Sequence, residues 1–176
     1  KSPIFHKATV FQRIYNWINL RSFRPKDTTE LRHKLKLRQG DFVALGVSMF
    51  WDFRKGMEIY FEVAKRMPDI KIVMIGKFPE NIEIPSNIIN VLPTTSVDEL
   101  ADYYSLADVL FNFSVQETFG KVAAEALACG TPLIVNEATA NPEIPGDCGF
   151  VIKNNDVNGI KDAVNVMYKS YVIKTA

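Results

Sequence analysis

Residues 41–76 read DFVALGVSMFWDFRKGMEIYFEVAKRMPDIKIVMIG, and this stretch decides the fold. Asp41–Met49 is a short apolar run rich in strand formers. Lys55–Met67 then places Met57, Tyr60, Phe61 and Ala64 at i, i+3, i+4 and i+7, the apolar stripe of a helix. Pro68 ends that helix because it cannot continue the backbone hydrogen bonds. Ile70–Gly76 returns to a continuous apolar run closed by a glycine. A switch of period from strand to helix and back over so short a span is the pattern of a βαβ unit with parallel strands.

The same alternation continues to the end of the chain. A proline-bearing loop over residues 77–87 leads to a third strand in NIINVLP (Asn87–Pro93). Ser96 with Glu99 three positions on is a capping box, opening a helix that runs to about Leu106. Ala107–Ser114 (ADVLFNFS) is a fourth strand, Thr131–Asn136 (TPLIVN) a fifth and Gly149–Ile152 (GFVI) a short sixth. The closing helix carries Ile160, Val164 and Met167 at helical spacing. The expected fold class is α/β, a Rossmann-like and mainly parallel sheet with helices on both faces. In such sheets ligands bind outside the carboxyl ends of the strands, at the switch point. The site is therefore expected in the loops after Met49, Gly76, Pro93, Ser114 and Asn136.

Residues 1–40 break this rhythm. Lys7–Pro25 holds one possible strand and then a connector. Thr28–Leu37 (TTELRHKLKL) reads as a short basic helix with Leu31, Leu35 and Leu37 as its apolar side. The expected division is a linker with a basic helix over 1–40 and a ligand-binding domain over 41–176.

Composition narrows the function classes. The 176 residues are 47% hydrophobic with a net charge of +1, an ordinary globular balance that points to neither a nucleic-acid binder nor an acidic tail. The charge is unevenly spread: ten Lys/Arg against two Asp/Glu in residues 1–40 give +8, leaving −7 for the rest. A basic arm of this kind is either a solvated connector or a docking element for an acidic surface or anionic lipid. Cys129 and Cys148 have no metal-like spacing and read as small buried thiols, in keeping with a reducing compartment. His6 and His33 both lie in the basic arm, which leaves histidine catalysis without a candidate. No apolar run reaches the roughly 18–20 residues of a membrane span. The opening KSPIF, without an initiator Met or a signal-like core, reads as part of something longer. The expected location is cytoplasmic, with the inner face of a membrane as an alternative.

The chemistry concentrates in Gln116–Pro132, QETFGKVAAEALACGTP. A helix is expected to begin near Phe119 or Gly120. Glu117 then stands just before its first turn, where free N–H groups and the positive dipole end favour an anion or an oxygen-rich ligand. Gly120 permits close approach of a ligand to the backbone. The alternative is plain capping by Thr118 or Glu117. Glu125 shares a helix face with Val122 and Cys129 inside an almost wholly apolar helix, and a buried carboxylate is costly unless paired. Either a basic side chain or exposure at the helix end accounts for it, or a ligand with two adjacent hydroxyls, such as a ribose diol, satisfies it. After the first strand, Arg54, Lys55 and Gly56 open a helix, where cations and free amides suit a diphosphate; the alternative is a solvated basic pair.

Together these features resemble the C-terminal, donor-binding lobe of a GT-B glycosyltransferase of the retaining group called family 4. The motif is Glu, seven residues, Glu, with Phe-Gly after the first: Glu117, Phe119, Gly120 and Glu125, continuing into ALACGTP. Lys55-Gly56 matches the family's Lys-Gly helix start. Ile14–Pro25 (IYNWINLRSFRP) is similar to the linker between its lobes through Asn16, Ile18, Phe23 and Pro25, with Trp17 in place of the usual Gly and Asn19 in place of Asp. NPEIPGDCGFVI keeps Pro142-Glu143, and the likeness covers about residues 12–170.

The resemblance implies a nucleotide diphosphate sugar as donor, a hydroxyl acceptor (a glycan or a lipid-linked one) held by a missing N-terminal lobe, and no bound metal or other cofactor. It implies that Glu125 holds the ribose, that Lys55 neutralises the diphosphate, and that Glu117 with the amides of Thr118, Phe119 and Gly120 orients the transferred sugar. Residues near Gly76 and from Leu92 to Thr94 would line the nucleoside. Two departures stand out. The family's Arg near the end of the first strand is replaced by Ser48 or Met49 in a longer loop, leaving Arg54, or backbone amides with Lys55, to substitute. The Gly-Gly after the fifth strand is replaced within Ala138–Asn141 (ATAN). A non-catalytic nucleotide-binding module and a nucleotide-sugar epimerase lobe are the alternative functions.

Overall fold

The computed structural model describes residues 9, 10, 12, 14–153 and 156–175, with side chains as far as residue 169. The strands are β1 (Val43–Phe50), β2 (Lys71–Lys77), β3 (Ile88–Val91), β4 (Val109–Asn112), β5 (Leu133–Asn136) and β6 (Gly149–Ile152). The helices are α1 (Thr29–Lys34), α2 (Met57–Arg66), α3 (Val97–Leu106), α4 (Lys121–Ala128) and α5 (Val157–Thr175), with short 3₁₀ turns at Phe53–Lys55 and Asn141–Glu143. All six strands are parallel, in the order β3-β2-β1-β4-β5-β6. This is the doubly wound order whose chain reverses direction between β1 and β4.

Each strand is apolar on both sides because helices cover both faces. On one face α2 and α5 bury Tyr60, Val63, Ile160 and Val164 against Ala44, Ile72, Met74, Phe111 and Ile134. On the other, α3 and α4 bury Tyr103, Tyr104, Ala123 and Ala126 against Leu45, Val73, Leu110 and Val135. Along α2 the fully covered stripe is Met57, Tyr60, Val63 and Ala64; Phe61 is only half-buried, at the margin against Phe78. Met167 likewise packs at the edge of the core.

The crevice at the switch point has a local cause. β1 and β4 pair only over Ala44↔Val109 and Leu45↔Leu110, whereas β1 and β2 stay together as far as Phe50↔Lys77. The next β4 carbonyl, that of Phe111, takes the Tyr60 hydroxyl at 2.5 Å instead of a β1 amide. Gly46 makes room for this ring: a Cβ there would lie 2.6 Å from it. The strands part beyond Tyr60, and β1 is irregular between Val47 and Phe50.

The linker segment is fastened to the domain. Among the described residues it contains no strand; the strand expected at the start of Lys7–Pro25 falls largely outside the described residues. Phe23 is buried with its ring edge on Tyr104 at 5.9 Å, and Leu37 is buried beside half-buried Leu31 and Leu35. Lys26 donates to the Asp98 carbonyl at 2.8 Å and pairs with Asp102 at 2.9 Å, so part of the basic arm finds its acidic surface on α3 of its own chain. Cys129 is buried as expected, but Cys148 is exposed because it sits in the turn before β6. Among the described residues no helix is long and apolar enough to cross a membrane.

Candidate functional site

At the parted ends of β1 and β4 lies a cavity of about 530 Å³ lined by Ser48–Asp52, Arg54, Lys55, Asn112, Ser114, Gln116, Glu117, Gly120 and Lys121. Asp52 organises one wall. Its carboxylate caps the turn at Phe53–Lys55 by accepting from the Lys55 amide at 3.1 Å, and it holds the Arg54 guanidinium at 2.9 and 2.7 Å. The hydrogen bond from Arg54 holds the Asp52 carboxyl below the usual range. This geometry aims Lys55 across the crevice, where its Nζ meets Glu117 Oε1 at 2.8 Å, joining residues 62 positions apart.

The opposite wall is fixed by buried asparagines. Asn112 Nδ2 donates to Asn141 Oδ1 at 3.1 Å, and Asn141 Nδ2 donates to the Ser114 carbonyl at 3.0 Å and to Asn136 Oδ1. The Glu117 amide donates to Thr139 Oγ1 at 2.8 Å. The loop carrying Glu117 is thereby tied to the loop after β5. Gly120, at φ +81°, turns the chain into α4; a Cβ there would lie 2.8 Å from Ile144. The Lys121 and Val122 amides, the first two of α4, have no intrahelical acceptor and sit at the positive end of the helix dipole, beside this cavity.

A second cavity, about 470 Å³, lies between the linker and the start of α3, lined by Asn16–Asn19, Ser22, Phe23, Thr94–Val97, Leu100, Lys121 and Glu125. Glu125 is 7% exposed. It is neither in bulk solvent nor locked on an arginine: Oε2 accepts from the Tyr104 hydroxyl at 2.9 Å, and the Lys121 ammonium is 3.8 Å from Oε1. Burial pushes its carboxyl pKa up, opposed by the Tyr104 hydrogen bond and then by Lys121. A carboxylate with two oxygens and one donor at hydrogen-bond distance has lone pairs left for hydroxyl groups in the cavity.

The structure brings Arg54, Lys55, Glu117 and Gly120 into one cavity and Thr94 and Glu125 into the other. Ser48 lines the first, but its hydroxyl is spent on the Phe50 carbonyl at 2.7 Å. Thr94 donates its hydroxyl to Glu99, the same glutamate whose amide the Ser96 side chain caps. Gly76 and Leu92 line neither cavity: Gly76 packs under Trp51 and the Ser48 carbonyl, and Leu92 projects into solvent at 73% exposure. Thr118 and Phe119 face a third cavity, of about 770 Å³, with Tyr15, Asn16 and Glu143, where the Tyr15 hydroxyl donates to Glu143 at 2.8 Å. Sequence reasoning missed Tyr104, the buried asparagines and Lys121. The asparagines and Tyr104 gave no signal, being ordinary in strand and helix runs. Lys121 did give one, since a cation in the first turn of a helix opposes the dipole. Among the described residues no group of three His, Cys, Asp or Glu side chains is arranged to hold a metal.

A parallel sheet in this order, with a cross-crevice Lys–Glu pair at its switch point and a buried carboxylate in the adjoining cavity, puts these groups where doubly wound sheets bind ligands. The chain belongs to the family described as glycosyl transferases group 1, whose model matches residues 41–170. It is 27% identical over 161 residues to N-acetyl-alpha-D-glucosaminyl L-malate synthase of Bacillus anthracis, covering 86% of this chain and 42% of that protein. It is 31% identical over 141 residues to alpha-monoglucosyldiacylglycerol synthase of Acholeplasma laidlawii, covering 71% of this chain and 35% of that one. Among solved structures, the Anabaena protein HepE in complex with UDP-glucose shares the fold at TM-score 0.77 and 18% identity, over 90% of this chain and 48% of that one. Sucrose-phosphate synthase of Thermosynechococcus elongatus gives TM-score 0.73 at 26% identity, over 85% of this chain and 41% of that one. The chain thus spans roughly two fifths of the curated relatives quoted, at 42% and 35%.

Proposed function

We propose that the chain is the donor-binding lobe of a glycosyltransferase that moves a sugar from a nucleotide diphosphate sugar to a hydroxyl acceptor, with retention at the anomeric carbon and without a bound metal. The observation that carries this reading is the pairing of two adjoining cavities. One holds a buried carboxylate with spare acceptor capacity, suited to a ribose diol; the other holds the Lys55–Glu117 pair and the start of α4, suited to a diphosphate and the sugar beyond it.

As the bond between the anomeric carbon and the diphosphate oxygen breaks, negative charge grows on the leaving group. Lys55 stabilises that charge, and the free amides at the head of α4 add to it without any rearrangement. The diphosphate competes with Glu117 for Lys55, which frees the Glu117 carboxylate to accept from sugar hydroxyls. The acceptor binds a second lobe facing these cavities, and this chain alone transfers little or nothing. A lipid acceptor fits the name of the Acholeplasma laidlawii relative, and a small hydroxy acid that of the Bacillus anthracis relative.

Thermal melting of this chain with UDP, GDP and ADP and their sugars tests the donor reading. A specific ligand at 100 times its Kd stabilises by about 2.7 kcal/mol. One nucleotide of the panel is expected to raise the Tm, and the rise is expected to vanish in Glu125→Ala. A panel that leaves the Tm unmoved refutes the reading.

A further inference from the structure

Three cations line the larger of the two site cavities: Arg54, Lys55 and Lys121. Two of them already hold a carboxylate at hydrogen-bond distance, Arg54 with Asp52 at 2.7 Å and Lys55 with Glu117 at 2.8 Å. Lys121 does not: its nearest carboxylate oxygen, on Glu125, is 3.8 Å away, and its side chain is 64% exposed. Lys121 also lines the second cavity, beside Glu125. Among the described residues it is the one charged side chain common to both.

Stability does not account for this placement. A cation in the first turn of a helix opposes the macrodipole. A lysine four residues before a glutamate is the weaker orientation of a helical ion pair. A pair this exposed and this long contributes about 0–1 kcal/mol at best. A cation kept against these preferences, at the junction of an anion-suited and a diol-suited cavity, has a ligand as its reason.

We propose that Lys121 is a donor-contacting residue that binds the diphosphate where it joins the ribose held by Glu125, supplying the charge that an arginine at the end of β1 would otherwise give. This rests on the donor reading of the two cavities. Ser48 and Met49 carry no charge, and Arg54 is engaged by Asp52, so neither position fills that role. Lys121 neutralises one phosphate while Lys55 neutralises the other.

The test is calorimetric titration of this chain and its variants with UDP, GDP, ADP and the matching nucleosides, at low and at physiological salt. Lys121→Ala is expected to weaken the diphosphate by about tenfold, as loss of one charge-assisted contact does, while leaving nucleoside affinity and the Tm unchanged. Lys121→Arg is expected to restore diphosphate affinity, and Lys121→Ala to flatten its salt dependence. A merely structural lysine would weaken nucleoside and diphosphate alike, or neither, and either outcome overturns the proposal. If Lys121→Ala binds the diphosphate as the parent does while Lys55→Ala loses it, the role of Lys121 falls and the donor reading stands. If the parent chain binds no nucleotide of the panel, both fall together.

Discussion

Glu125→Gln separates function from stability more sharply than any other change in the site. The substitution conserves volume, and the amide oxygen still accepts from Tyr104, whose hydroxyl lies 2.9 Å from the present carboxylate. It removes a charge that is 7% exposed and whose only nearby cation among the described residues is 3.8 Å away. Burial without close pairing costs the folded state on the order of 1 kcal/mol, so the ligand-free variant is expected to melt about 2–4 °C higher. The same change replaces one acceptor oxygen by a donor. A ribose diol then loses one hydrogen bond to a charged group, about 1.5–3 kcal/mol, or roughly 10- to 100-fold in nucleotide affinity. Differential scanning fluorimetry and calorimetric titration read the two effects on one sample. A variant that melts lower yet binds nucleotide as before would mean that Glu125 serves only to hold Tyr104, and the ribose assignment would be wrong.

Other perturbations follow from the same geometry. The raised pKa of Glu125 means that the folded state binds its proton more tightly than the unfolded chain does. The stability owed to the protonated form is full below the ordinary glutamate value of 4.5 and is lost as pH rises through the folded pKa; the Tm of Glu125→Gln is therefore expected to gain on that of the parent across that interval. A constant difference from acid to neutral pH would contradict this. Lys55→Ala removes a half-exposed partner, so the Tm should hold within about 2 °C, while the proposed sugar transfer, read with an acceptor-binding lobe present, falls about 10²–10³-fold. Equal turnover would remove Lys55 from the chemistry. Gly46→Ala drives a methyl into the buried Tyr60 ring, 2.6 Å away, and should cost about 1–3 kcal/mol in urea unfolding; no loss would mean that Tyr60 does not wedge the strands apart.

The fold was legible because its signal is periodic. Every strand run named in residues 41–152 is a strand in the structure, since strands covered on both faces read as unbroken apolar runs and the helices between them carry stripes. The N-cap at Ser96 was equally legible, because the Ser96 side chain accepts from the Glu99 amide three residues on; the reciprocal half of the box does not form, since the Ser96 amide donates to Thr94, whose hydroxyl takes up the Glu99 carboxylate. Within the site, Glu125 was found by its misfit with its neighbours. Tyr104 was not, since a tyrosine in a half-apolar helix raises no question until its hydroxyl is seen on a carboxylate 21 positions later. Gly76 was expected near the nucleoside from the resemblance; in the structure Trp51 and the Ser48 carbonyl leave no space for a Cβ there. Contacts between distant segments have no period and hence no trace in the sequence.

Thr139 shows how a departure from a family pattern can leave the backbone unchanged. It lies in the stretch Ala138–Asn141, where the resemblance leads one to expect Gly-Gly, and it adopts φ +48°, the left-handed conformation that glycine favours and a β-branched residue avoids. Strain of this kind costs about 1–3 kcal/mol and persists only where something offsets it. Here the offset is visible: the Thr139 hydroxyl accepts the Glu117 amide at 2.8 Å, a bond that glycine cannot make. Thr139→Gly should therefore relieve strain and lose a hydrogen bond of about 0.5–1.5 kcal/mol, leaving the net stability within about 1 kcal/mol of the parent. What changes is local. The Glu117 amide should exchange its hydrogen markedly faster, because its acceptor is gone while the fold around it is intact. If exchange at Glu117 is unaltered in Thr139→Gly, the loop is held by the asparagines alone and the threonine is tolerated there rather than used.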